Sequence, residues 1–395
     1  MNILNFTFRM FQQMFFQLLC KIDTKNLNNL NNILSTVSFM NLKENVLAVL
    51  RDEETDVTPV VSVTQLGITE AMEKTDAFWP EAHSDAEKMA ALGSSLYELA
   101  GLECARIPFC LTIEAEAMGC KVDLGNKDRT PQVVESPFES SSDISMPDDF
   151  LSKGRIPVVL DAIKKLKDKY GDTLPIIVGI TGPFTLTGHL LGVEKLVRYM
   201  RTRQNEVESA LDEALDISIE YANAIADAGP DIICVADPTS APELIDPLQF
   251  KTIVKPRLED LSMQINTSKV LHICGSTEPI IKDMAATGFD GLSIEEKVDI
   301  ARAKEAIKGG GKTIRVGGRT MSMGGGDKVP KIIGNISSSE TLFRGSPDQV
   351  KEEVKKVLES GVDIIAPSCG LAPSTPLENI KAMIEARNEF TVSNI

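Results

Sequence analysis

The residues best suited to hold a metal are His272-Ile273-Cys274-Gly275 and, far downstream, Cys369-Gly370. His272 and Cys274 end the apolar, β-like run Val270-Leu271-His272-Ile273-Cys274, in which side chains alternate between two faces. They therefore point the same way, a few ångströms apart. Cys369 closes a second run of this kind, Val362-Asp363-Ile364-Ile365-Ala366-Pro367-Ser368-Cys369. Two strand ends can thus bring one imidazole and two thiols to a common point. That is a three-ligand zinc site with a position left open, the pattern of catalysis rather than of a closed structural site.

A His-x-Cys tripeptide alone is a weak signal, because a strand Cys is usually a small hydrophobe. Cys369 strengthens it, since it lies in the turn-rich strand exit Ala366-Pro367-Ser368-Cys369-Gly370-Leu371-Ala372-Pro373, where a merely packed Cys has little reason to be. Cys20, Cys104, Cys110, Cys120 and Cys234 show no CxxC spacing. Seven cysteines, an odd number, point to free thiols in a reducing cytoplasm. His83 and His189 have no Cys or second His at ligand spacing and are expected to be structural.

The chain has 395 residues, 43% of them hydrophobic, and a net charge of −16. That charge disfavours nucleic acid and anionic membrane surfaces as partners. No apolar run reaches the roughly 18 residues needed to span a bilayer. Residues 1–39 differ from the rest. Phe6–Leu19 is apolar but broken by Arg9 and Gln12-Gln13, no small-residue cleavage site follows it, and Asn26–Asn32 is Asn-rich. Met40 is the expected natural start, with residues 1–39 an extension that is disordered or not native.

The elements that must position the ligands follow from Met40 onward. Strand-like runs fall at Pro59–Gln65, Glu103–Phe109, Pro175–Ile180, Asp231–Asp237, Lys269–Cys274, Gly291–Glu295, Lys331–Ile336 and Val362–Ser368. Amphipathic stretches between them, such as Ser84–Ala100, Arg155–Tyr170, Val193–Ala228 and Pro347–Glu359, read as helices. Ser84 and Glu87 have capping-box spacing. Eight strands alternating with helices predict parallel pairing and a single-domain (β/α)8 TIM barrel over residues 40–390. No G-x-G-x-x-G follows a first strand, which argues against a doubly wound sheet.

In such a barrel the active site lies at the strand C-termini, where His272, Cys274 and Cys369 fall together with Asp237 and one of Glu295 or Glu296. Asp237 is expected to hydrogen-bond substrate, to orient His272 or to cap a helix. Gln65 and Ser337 end strands and are candidate pocket-lining, substrate-binding residues. Two segments interrupt the pattern. Cys110 to about Met146 reads as a long loop or hairpin over the mouth. Gly309–Lys328, rich in glycine, reads as a solvated flexible insertion; its Gly311-Lys312-Thr313 lacks the upstream glycine of a phosphate-binding loop, which here is Ala306.

With these residues in view, the chain resembles the uroporphyrinogen decarboxylase superfamily, and more closely the methylcobamide:coenzyme M methyltransferases of methanogenic archaea. The likeness is carried by Val63-Thr64-Gln65-Leu66-Gly67, Trp79-Pro80-Glu81-Ala82-His83-Ser84-Asp85, Glu116-Ala117-Met118-Gly119-Cys120, Leu271-His272-Ile273-Cys274-Gly275, Gly334-Asn335-Ile336-Ser337 and Ala366-Pro367-Ser368-Cys369-Gly370 with Pro376-Leu377-Glu378-Asn379. It spans roughly Met40 to Phe390. Ser62-Val63-Thr64-Gln65-Leu66 lacks the arginine that the decarboxylase branch would place there.

The resemblance implies methyl transfer from a methylated corrinoid (methylcobamide) on a partner protein to the thiol of coenzyme M, dependent on Zn2+. It also implies a carboxylate as fourth zinc ligand, which falls on Glu296 in Ile294-Glu295-Glu296-Lys297, with Glu295 placed as well by strand alternation. Thr181-Gly182-Pro183 would offer backbone N–H groups to the sulfonate. The alternatives are a cofactor-free decarboxylase of a tetrapyrrole and a non-catalytic barrel that binds zinc or corrinoid.

Overall fold

The computed structural model describes residues 40–55, 57–308, 313–316, 319–322 and 329–393, so the extension 1–39 lies outside the described residues. In chain order the strands are β1 (Ala105–Ile107), β2 (Lys121–Asp123), β3 (Gln132–Glu135), β4 (Ile176–Thr181), β5 (Ile232–Ala236), β6 (Ser268–His272), β7 (Gly291–Ser293), β8 (Thr313–Val316), β9 (Arg319–Ser322), β10 (Lys331–Ile336) and β11 (Ile364–Pro367). Seven of them form one parallel sheet in the order β1-β4-β5-β6-β7-β10-β11. Nearly every residue of these strands is buried, as parallel strands covered by helices require.

The eighth position is filled by Pro59–Val61. Val61 N donates to Ile365 O and Ile365 N to Pro59 O, each at 2.9 Å, while Glu103 N donates to Val60 O at 2.9 Å. This segment therefore joins β11 to the β1 side and closes a (β/α)8 barrel. The pairing is much shorter than the predicted Pro59–Gln65 strand, because beyond Val61 the chain turns on its own side chains: Ser62 Oγ bonds Thr64 O at 3.1 Å and Gln65 Oε1 accepts from Gly67 N at 2.5 Å.

Side chains take over where the ladder is thin. The Glu103 carboxylate accepts Val60 N at 2.9 Å and pairs with Arg387, which also donates to Thr58 O at 2.6 Å. Both charges are buried, Glu103 at 5% and Arg387 at 3% exposure. The pair fastens the C-terminal helix Leu377–Ser393 to the closing seam. Taking one charge away leaves the other desolvated and unpaired.

Elsewhere the structure refines the expected boundaries. The helix Ala86–Ala100 starts one residue later than the Ser84 capping box implies, since Asp85 is the cap and accepts Lys88 N at 3.0 Å. Ser84 instead ends the 3-10 turn Glu81–His83. The long amphipathic stretch Val193–Ala228 is two helices, Val193–Thr202 and Gln204–Ala228, broken at Arg203. The Cys110–Met146 excursion holds a helix, Ile113–Ala117, and the antiparallel hairpin β2–β3. The Gly-rich insertion carries a second hairpin, β8–β9, and leaves β10 in register with both β7 and β11.

His83 and His189 are no part of the His272 cluster. His83 is fully buried, stacked on Trp79 with ring centroids 5.0 Å apart and edge-on to Phe109 at 5.9 Å. Burial, reinforced by the Arg155 charge, lowers its pKa to about 3, and burial alone lowers that of His189 to about 4.

Two outcomes follow. Glu103→Gln should destabilise the fold by about 3 kcal/mol, read as a lower urea midpoint at unchanged slope; an unshifted midpoint would show that the seam does not depend on the pair. Histidines held neutral in the fold take up protons on unfolding, so stability is lost as pH falls below about 6.5. For His83 the loss should reach about 2 kcal/mol by pH 5. His83→Phe should flatten the fall in urea midpoint between pH 7 and pH 5, and an unchanged profile would exclude a neutral buried His83.

Candidate metal centre

His272 is the last residue of β6, and Cys274 stands two residues beyond it, its thiol turned to the same side as the imidazole. The turn that follows requires glycine at 275. Its φ is +84°, and an added Cβ would lie 2.4 Å from the Glu243 carboxylate, which accepts Ser276 N at 2.8 Å. Cys369 stands two residues past β11. Its backbone is bracketed by Ser338, whose Oγ accepts Cys369 N at 3.0 Å and donates to Cys369 O at 2.9 Å.

The three side chains meet. His272 Nε2 lies 3.0 Å from Cys274 Sγ, and Cys274 Sγ lies 3.4 Å from Cys369 Sγ. Their donor atoms all fall within 4.8 Å of one another, the one His/Cys/Asp/Glu cluster of this kind among the described residues. Both cysteines are free thiols. Separations of this size suit three donors that share one ion at bond lengths of about 2.0–2.3 Å. His272 is 2% exposed while the two cysteines are half-buried, so the cluster has a packed side and an open one.

Electrostatics divides the two thiols. Cys369 is held well below the usual thiol range, first by the hydrogen bond from Cys274 and then by His272, against the cost of burial. Cys274 is pushed up by that same hydrogen bond to Cys369 and by burial, with the charge of Glu295 adding to it. The hydrogen bond between them thus favours negative charge on Cys369 over Cys274. By contrast, burial pushes Cys104 and Cys234 up to about 12, which leaves them inert packing thiols.

Ser293 is the partner that sequence reasoning missed. It ends β7 opposite His272 in the β6–β7 register, and its Oγ lies 3.0 Å from His272 Nδ1. Were Nε2 to ligate a metal, the ring proton would sit on Nδ1 and be donated to Ser293. A serine in Gly291-Leu292-Ser293 carries no motif; only the register reveals it.

Asp237 does not orient His272 with its carboxylate, although its backbone N donates to His272 O at 2.9 Å. Its Oδ1 accepts Thr185 N and Thr185 Oγ1, each at 2.6 Å, and Oδ2 accepts Phe184 N at 3.3 Å. It therefore caps the helix Pro183–Leu191 from a neighbouring strand end, and burial pushes its carboxyl up to about 6. The N–H groups expected to face a sulfonate are already used: Thr181 N donates to Glu114 at 2.6 Å and Gly182 N to Ala236 O at 2.7 Å.

Gln65 and Ser337 act on the loops around the cluster. Gln65 Nε2 donates to Leu371 O, and a Cβ on Gly370 would lie 3.0 Å from Gln65 Cγ, so Gln65 backs the Cys369 loop. Ser337 Oγ donates to Glu296 Oε1 at 3.2 Å and accepts Glu340 N at 3.2 Å. Glu295 pairs with Lys297 at 3.4 Å. Because β7 ends at Ser293, strand alternation does not extend to either glutamate, and neither carboxylate lies inside the 4.8 Å cluster.

A closed (β/α)8 barrel with an imidazole–dithiol cluster at its strand C-termini is an enzyme scaffold whose mouth carries donors that could hold a metal. Known proteins agree. The uroporphyrinogen decarboxylase (URO-D) family model matches residues 41–390. A methylcobamide:CoM methyltransferase MtaA of Methanosarcina barkeri is 44% identical over 356 residues, covering 90% of this chain and 99% of the relative. A methylcobamide:CoM methyltransferase MtbA of Methanosarcina acetivorans is 34% identical over 352 residues, 88% of this chain and 98% of the relative. A solved methyltransferase from Methanosarcina mazei superimposes with a TM-score of 0.82 at 43% identity, covering 89% of this chain and 99% of that one. The chain therefore belongs to the uroporphyrinogen decarboxylase family and, within it, to the methylcobamide:CoM methyltransferases.

Ser293→Ala should weaken zinc binding by about 10–100-fold, measured by competition with a chromophoric chelator. Unchanged affinity would show that strand packing alone fixes the imidazole.

Proposed function

We propose that this chain catalyses transfer of a methyl group from a methylated corrinoid, carried on a partner protein, to the thiol of coenzyme M, and that it does so with zinc held by His272, Cys274 and Cys369. The observation that carries this reading is the meeting of those three donors, one packed and two half-open, at the mouth of the barrel. The relatives' names supply the substrates. Glu296, tethered by Ser337, is the proposed fourth donor.

Zinc bound there would keep an incoming thiol deprotonated at neutral pH, where a free thiol is mostly protonated. The chain's own residues set the rest. Ser293 holds the His272 ring so that Nε2 faces the sulfurs. Cys274 and Cys369 bring two negative charges as thiolates, so electron density stays on the incoming sulfur rather than being drawn off it. Both cysteines must be deprotonated before both can ligate, which ties metal loading to pH. The Glu243–Ser276 and Ser338–Cys369 bonds anchor each thiol-bearing loop to the loop of a neighbouring strand. In the reaction the substrate thiol loses its proton to solvent and its sulfur forms the S–CH3 bond. The Co–C bond breaks with its electron pair remaining on cobalt.

No helix among the described residues is long and apolar enough to cross a membrane. Six free thiols among the described residues support a reducing compartment, the cytoplasm.

The test is a thiol-consumption assay with free methylcobalamin and a panel of thiols, before and after zinc removal. Coenzyme M should be methylated, and chelation should abolish the reaction until zinc is restored. Cys274→Ser and Cys369→Ser should each lose bound zinc and at least about 100-fold in rate. Zinc retained by the double variant, or methyl transfer undiminished by chelation, contradicts the proposal.

A further inference from the structure

The helix Gln204–Ala228 has 25 residues and is about 37 Å long, well beyond the roughly 20 Å of the strands it covers. It ends just before β5 begins, at the N-terminal face of the barrel, so its first turns project past the opposite, ligand-bearing face. The short helix Val193–Thr202 leads into those turns and is thereby placed on the catalytic side. Its neighbours come from the same side. Lys195 Nζ bonds Glu139 O in the excursion after β1, and Gln249 Nε2 bonds Met200 O at 3.1 Å from the segment after β5.

Between this helix and the loop after β5 lies an apolar groove of about 530 Å³, lined by Val193, Val197 and Leu244 together with Arg198, Arg201 and one carboxylate, Glu194. Val193 and Leu244 are each 40% exposed, and Leu248 beside the groove is 67% exposed. The charge is inverted relative to the molecule. Residues 193–203 hold Lys195, Arg198, Arg201 and Arg203 against Glu194 alone, on a chain of net charge −16. Arg203 is paired with Glu206 at 3.2 Å, whereas Arg198 and Arg201 have no ion pair among the described residues. The cations are arranged around Tyr199, with Lys195, Arg198 and Arg203 at 5.8, 5.5 and 5.0 Å from its ring centroid.

The groove is tied to the loop after β6 through one residue. Leu244, on its lip, follows Glu243, which bonds Ser276 two residues from Cys274. A body seated in the groove would border the loop that carries a metal donor. On a strongly acidic protein, an apolar strip edged by unpaired arginines suits a partner whose surface is acidic around an apolar patch.

We propose that the groove between Val193–Thr202 and the Leu244 loop is the docking surface for the protein that carries the methylated corrinoid. This rests on the methyl-transfer reading above and adds to it where the partner binds and by what chemistry. Free methylcobalamin has no need of the groove; a protein donor does.

The test compares the two donors, free methylcobalamin and a recombinant corrinoid protein loaded with methylcobalamin. In R198E/R201E, and separately in V193S/L244S, methylation of coenzyme M from free methylcobalamin should be unchanged, which also shows that the variants are folded. With the corrinoid protein, KM should rise by about tenfold or more, chiefly through slower association for the charge reversal. The wild-type KM for the protein donor should rise with salt, and that of R198E/R201E much less. Equal effects on both donors, no effect on either, or a change in self-association in place of the donor KM would overturn the docking assignment. Absence of coenzyme M methylation by the wild type from both donors would instead overturn the methyl-transfer reading on which it rests.

Discussion

Closure of the barrel at Pro59–Val61 is the constraint on which the rest of the structure depends. His272 ends β6 with Cys274 two residues beyond it, and Cys369 stands beyond β11, with β7 and β10 between them in the sheet. In an open sheet that spacing would hold the thiols about 14 Å apart. Curled into a closed barrel, the strand ends face one another across the mouth, and the two sulfurs lie 3.4 Å apart. Closure itself rests on few backbone bonds and on the buried Glu103–Arg387 pair, so a charge interaction remote from the mouth maintains the geometry of the metal centre.

Around the centre, each donor is supported through a different element. Ser293 fixes the imidazole from β7, Ser338 brackets the Cys369 peptide from the loop after β10, and Glu243 fills the space beside Gly275 from the loop after β5. Gly182 shows how close the packing is, because a Cβ there would lie 2.4 Å from the Asp237 Cβ. Asp237 can reach the first turn of Pro183–Leu191 only because residue 182 has no side chain, and its capping role keeps that rim segment in place.

Much of this was legible in the sequence. Period-two alternation is local, so it gave the shared face of His272 and Cys274, and the alternation of elements placed Cys369 at the same barrel end. What was not legible depends on register or distant contact. Ser293 becomes a partner of His272 only through the β6–β7 pairing. The roles open to Asp237 could be separated only once Phe184 and Thr185 were seen against it. The fourth donor stayed open between Glu295 and Glu296 because β7 ends at Ser293, and past a strand end no periodicity dictates which side chain turns inward. Asp85 displaced Ser84 as a helix cap because the preceding residues form a 3-10 turn that no short motif announces.

The central claim is that His272, Cys274 and Cys369 hold a zinc ion that accepts the substrate thiol. Zinc-edge X-ray absorption on the zinc-loaded protein, with and without coenzyme M, tests it most directly. The account predicts two sulfur donors at about 2.3 Å and one imidazole nitrogen in the free protein, and a third sulfur when coenzyme M is added. A coordination shell without two sulfurs, or one that gains no sulfur with coenzyme M, would contradict it.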